Sequence, residues 1–165
     1  MGKLLSVGHI AGGVQGYTLP VAASQMFHPD GGHFVYLDAN GRVTLALTAT
    51  QYLFGWACTP RSFAAGSTNE SNGYWTSSST AGADKVYVIT DLTAVFCIPV
   101  DSSATLAQAR VGEACDLIGV NDGTQQVANP GTSTQDVLLI QGMFHDGDTD
   151  YVLVKLNPNE IQRDT

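Results

Sequence analysis

The chain has 165 residues and a formal net charge of −8, with seven Lys and Arg against fifteen Asp and Glu. Phosphate binding needs clustered cations, and Lys3, Arg42, Arg61, Lys85, Arg110, Lys155 and Arg163 stand singly, so no nucleic-acid partner is expected. No run reaches the roughly 18 apolar residues of a membrane span, so no membrane partner is expected either.

The length suits one domain with a real core. Charged residues make up 13%, about half the usual share, and Gly, Ser, Thr, Asn and Gln replace them. Such a surface suits a protein held among partners. It equally suits a β-rich secreted or viral domain, where Thr and Ser take the exposed strand positions.

Residues 1–33 are rich in glycine and small apolar residues and lack helical periodicity. They are expected to form an extended glycine-rich N-terminal arm, or a loosely packed lead-in, with one or two short strands. His9, Gln15 and the glycines interrupt the opening apolar stretch, unlike a secretory leader. A β-rich domain is expected over 34–158. "HFVYLD" and "RVTLALT" flank Asn40-Gly41, a strong hairpin signal, and Gln51 to Cys58 reads as a third strand. Residues 59–84 are rich in Ser, Gly, Thr and Asn and read as a long polar loop. Its large apolar side chains, Phe63, Tyr74 and Trp75, either pin the loop to the domain or anchor it on a partner as interface residues. The first reading is favoured.

From Lys85 the strands resume. "KVYVIT" and "AVFCIPV" are apolar on both faces and are expected to lie between two layers. "SSATLAQARVG" reads as one short helix, with Ser103 as its cap and Gly112 as its end. "ACDLIGV" is a strand and "VANPGTST" a loop. "DVLLIQGMF" and "YVLVKLN" form the last two strands. Asn157-Pro158 ends the fold, and 159–165 is a polar, frayed tail. About eight short strands with regular turns predict a mainly β protein, a single β-sandwich or partly closed β-barrel with at most one short helix. Lys155 and the glycines are expected to blunt the sheet edges, or a second subunit to cover them.

Asp146, Asp148 and Asp150 sit at alternate positions before the last strand. An EF-hand loop needs Gly at its sixth position and Glu at its twelfth. Counted from Asp146, those positions hold Tyr151 and Asn157, so the reading fails. A non-EF cation site is weighed against a plain acidic hairpin turn, and the turn is preferred. His28 and His33 flank "PDGG" and can face each other across a turn. A metal there is weighed against exposed loop histidines, which are commoner. Cys58, Cys97 and Cys115 have no CxxC spacing and no protease signature, and Cys97 reads as a small buried hydrophobe. A reduced compartment fits, with one disulfide still open. No G-x-S-x-G elbow, P-loop or dinucleotide fingerprint occurs. No catalytic, metal or cofactor residues are assigned, and no cofactor is expected.

The stretch from Arg110 to Pro158 contains "GEACDL", a loop with "QQV", then "STQDVLLIQG" and "DYVLVKLNP". This succession, with the preceding "AVFCIPVDSSATLAQARVG", resembles the C-terminal region of the small head decoration, or cement, proteins of tailed bacteriophages. The resemblance covers about the second half of the chain and rests on strands and turns rather than a chemical signature. It implies a non-enzymatic structural protein on the outer surface of a virion. Its partners would be the major capsid protein and itself, as a homotrimer, clamping neighbouring capsid subunits. Two other readings compete. One is a carbohydrate-binding β-sandwich, calcium-assisted, using Tyr74, Trp75 and the acidic loop. The other is a hydrolase.

Overall fold

The computed structural model describes residues 7–28, 31–60, 68–69 and 75–162. In chain order the strands are β1 (Gly8–Ala11), β2 (Gly16–Pro20), β3 (Met26–Phe27), β4 (Gly32–Leu37), β5 (Val43–Leu45), β6 (Gly55–Cys58) and β7 (Thr68–Asn69), then β8 (Trp75–Thr76), β9 (Lys85–Ile89), β10 (Val95–Pro99), β11 (Ala114–Ile118), β12 (Val127–Asn129), β13 (Leu138–Asp146) and β14 (Thr149–Leu156). They form a six-stranded sheet, β1-β10-β14-β13-β11-β12, a five-stranded sheet, β2-β9-β6-β4-β5, and a three-stranded sheet, β3-β8-β7. Neighbouring strands are antiparallel throughout, and one sheet curls into half a barrel. The protein is mainly β, a sandwich with partial barrel character, as its turn spacing predicts.

The five-stranded sheet is the middle layer. Side chains alternate across a strand, and here both faces are apolar. Phe34, Trp56 and Ile89 point into a cluster shared with Phe96, Ile98, Leu138, Val152 and Val154 of the six-stranded sheet. Their neighbours Val35, Ala57 and Val88 point the other way, into a second cluster with Phe27 and Trp75. Phe34, Trp56 and Phe96 meet as a triangle of rings with centroids 4.8, 5.2 and 5.3 Å apart, joining the two larger sheets.

A strand buried on both faces must find a partner for every N–H and C=O, because no water reaches it. On β4, side-chain amides take over where the flanking strands run out. Phe34 N–H donates to Gln126 Oε1 at 2.7 Å, and Gln126 Nε2 donates to the carbonyls of Phe34 (3.0 Å) and Ala46 (2.8 Å). At the far end, Leu37 N–H donates to Gln162 Oε1 (2.7 Å) and Gln162 Nε2 returns a bond to the Leu37 carbonyl (2.9 Å). Gln25 Oε1 likewise accepts from Leu45 N–H on β5 (2.9 Å).

Several expectations require correction. The described residues of 1–33 are built into the sheets: β1, β2 and β3 enter three different ones, and glycines allow the close backbone approaches. Gly16, for example, lies so near the Val88 carbonyl that a Cβ would collide with it. Within 59–84, β8 pairs with β3 and with β7. The short helix is only a 3-10 turn at Gln108–Arg110, whose cap position is Ala107, and the Ser103 hydroxyl donates to Asp101 instead. The strand at Gln51–Cys58 begins at Gly55, and "VANPGTST" contains β12. β10 is buried on both faces as expected, whereas Tyr87 of β9 is exposed. The tail is docked through Gln162 and through Ile161, which bridges to Leu53. Lys155 lies on β14, an interior strand, and guards no edge.

Gln126→Leu keeps the volume but removes the amide that meets Phe34 and Ala46. It is expected to cost about 3 kcal/mol, since an orphaned buried backbone group costs about 1–3 kcal/mol. Gln162→Leu, in a half-buried setting, should cost clearly less. Urea denaturation of the two variants measures both; equal costs would contradict the account.

Candidate functional site

Phe63 and Tyr74 lie outside the described residues. Trp75, the third candidate anchor, is 2% exposed and packs against Phe27 with ring centroids 5.2 Å apart. It pins its segment to the second core cluster.

The acidic stretch is a tight hairpin. Asp146 and Thr149 pair across a two-residue turn, Gly147-Asp148, and Gly147 adopts a φ of +63°. The next pair is His145 with Asp150, and His145 Nδ1 contacts the Asp150 carboxylate. Successive pairs project to opposite faces of a ribbon, so Asp146 and Asp150 diverge instead of converging on one cation. Among the described residues, no group of three His, Cys, Asp or Glu side chains is arranged to hold a metal.

His33 is a core residue, 0% exposed, so the exposed-loop expectation fails for it. Its Nε2 accepts the His28 backbone N–H at 2.8 Å, which occupies the lone pair a metal would need. Burial, then the charge of His28, lower its pKa to about 3 against the pull of Asp122, so the ring stays neutral. No two of the three cysteines form a disulfide. Burial, reinforced by Asp116 and Asp136, pushes the Cys115 thiol up to about 12, which removes it as a nucleophile at neutral pH.

Two depressions adjoin each other on the described surface. The larger, about 450 Å³, is open to solvent and lies between Tyr36 of β4, Gln162, and the Leu47–Tyr52 connection. A turn shapes that connection: Thr50 N–H donates to the Leu47 carbonyl (2.9 Å) and Leu47 N–H to Thr50 Oγ1 (2.8 Å). Tyr52 is 51% exposed and Leu47 41%. Among the described residues the lining is Tyr, Leu, Ala, Thr and Gln, with no carboxylate and no cation. Such walls suit a neutral ligand with both apolar and hydroxyl surface. Sequence reasoning missed this groove, although "LTATQY", apolar residues alternating with Thr and Gln in a connection, was the available signal.

The smaller depression, about 350 Å³, shares Ala49 with the first and includes Asp116. Asp116 is already committed. Its Oδ1 accepts the N–H groups of Thr134 (3.0 Å), Gln135 (2.8 Å) and Asp136 (2.9 Å). Burial raises its pKa, but the bonds from Asp136, Thr134 and Gln135 outweigh that and hold it below the usual carboxylate value. A depressed folded-state pKa means stability that is present above the unfolded value and lost as pH falls through the folded one. Asp116→Asn should therefore cost about 2 kcal/mol at neutral pH. The gap to the native protein should narrow as acid protonates the native carboxyl. Melting curves from neutral to acid pH check this; a gap independent of pH would contradict it.

Compared with protein-family models, curated proteins and solved structures, the chain matches none.

Proposed function

We propose that this chain is a non-enzymatic structural protein of the outer surface of a phage head, binding across neighbouring major capsid subunits. The observation that carries the reading is the succession of motifs between Arg110 and Pro158. Their arrangement supports it: "GEACDL" supplies β11, "STQDVLLIQG" begins β13 and "DYVLVKLNP" supplies most of β14, three adjoining strands of one sheet. The loop motif "QQV" contains Gln126, which fastens that sheet to β4. The acidic, weakly charged composition suits the exterior of a shell and wide, wet contacts. Binding the assembled shell but not free subunits would stabilise the shell by linkage. Purified protein should co-sediment with undecorated heads and raise their melting temperature, and should not bind dissociated capsid subunits. Failure to bind heads would remove the reading.

One observation favours a second reading, carbohydrate binding. The groove at Tyr36 and Tyr52, uncharged among its described lining residues, has a stacking surface and hydroxyl groups, while Trp75, expected to stack, is buried. On a glycan array, binding that Tyr52→Ala abolishes and Asp148→Ala leaves unchanged would support this groove. An array with no bound glycan would remove it.

A further inference from the structure

Among the described residues, no strand pairs with the outer edge of β2 between Gly16 and Pro20; just beyond, Ala22 N–H meets the Val43 carbonyl of β5. Thr90 N–H donates to the Gln15 carbonyl and Val21 N–H to the Asp84 carbonyl, both at 2.9 Å, at the two ends of the β2–β9 pairing. Antiparallel strands alternate the direction of their backbone groups. Tyr17 and Leu19 therefore turn theirs toward β9, and Gly16, Thr18 and Pro20 turn theirs outward. Among the described residues, no acceptor meets the N–H groups of Gly16 and Thr18. Two other sheet edges are covered. Ala22 N–H (2.9 Å, to the Val43 carbonyl) and Gln25 cover β5, and Asp101 N–H (2.8 Å, to the Ala128 carbonyl) covers β12. The outer half of β13 runs into Asp146 and Asp148, so a second copy there would bring carboxylates together.

Exposed apolar side chains crowd the β2 edge. Tyr17 is 59% exposed, Val14 54% and Tyr87 40%. Tyr87 is in register with Thr18, and its hydroxyl donates to the Val14 carbonyl. An unpaired edge beside exposed aromatic surface is a template for strand addition.

We propose that β2 joins two copies of this chain, antiparallel about a two-fold axis at Tyr17. In that register Gly16 N–H and C=O meet Thr18 C=O and N–H of the second copy, and the symmetry repeats the pair, so every outward group of both residues is bonded. The two Tyr17 side chains meet at the non-hydrogen-bonded position, where side chains approach most closely. Pro20, without an N–H, ends the ladder. Gly16–Pro20 contains no charged residue, so a chain of net charge −8 can pair here without opposing carboxylates. The pairing does not rest on the capsid reading and departs from the homotrimer that the resemblance implies; its test uses the isolated protein.

Sedimentation velocity of the full chain over a concentration series should show a dimer. By hydrogen exchange, the Gly16 and Thr18 amides of the native chain should exchange slowly. Thr18→Pro removes an N–H that has no partner within the protomer. It should keep the native circular dichroism while weakening the dimer about a hundredfold or more, as expected for two lost hydrogen bonds. If that variant does not fold, Tyr17→Lys sets two cations together on the axis and should give the same dissociation. A native monomer at every concentration, a trimer, fast-exchanging Gly16 and Thr18 amides, or a folded variant that stays dimeric would each overturn the proposal.

Discussion

A backbone buried on both faces has no solvent to satisfy it, and β4 is the strand on which that constraint falls hardest. It lies between two apolar clusters, with β5 on one side and β6 on the other, and both flanking strands are shorter than β4. The deficit is met by Gln126 and Gln162, each presenting a carbonyl and an amino group to the N–H and C=O of one β4 residue. A primary amide does this well because it offers both a donor and an acceptor. The consequences spread outward. Gln126 ties the loop before β12 to the middle layer, and Gln162 draws residues 159–162 back across the sheet.

The same economy governs the groups that first suggest chemistry. His33 spends its lone pair on the His28 backbone N–H, Asp116 spends its carboxylate on three consecutive N–H groups, and Cys115 is held protonated by burial. Buried polar side chains here substitute for missing strands and turns. What remains for recognition is on the surface: an uncharged groove beside Tyr52, an acidic hairpin, and the edge of β2.

Much of the sheet framework was legible in the residues. Asn40-Gly41 marks the β4–β5 turn, where Gly41 adopts a positive φ and Asp38 accepts the N–H groups of Asn40 and Arg42. "DVLLIQGMF" and "YVLVKLN" mark β13 and β14, because a long alternating or apolar run with Gly and Asp at its end has few other ways to fold. Short strands without an apolar pattern were not legible. β1 and the residues around Ile161 are held by partners distant in sequence, and local composition carries no trace of that. The site fared worst: Trp75 carries the same aromatic side chain whether it lies in a core or at an interface, and only its packing on Phe27 decides.

By itself, the sequence determined the class of fold, the main hairpins and the acidic, weakly charged surface, since these follow from periodicity, turn chemistry and composition, all local properties. Tertiary structure alone decided which layer is buried on both faces and which glutamines complete it. It also set His33 in the core and β2 at the end of its sheet. The physical reason is the same in each case: hydrogen-bond partners and burial are fixed by neighbours far away along the chain.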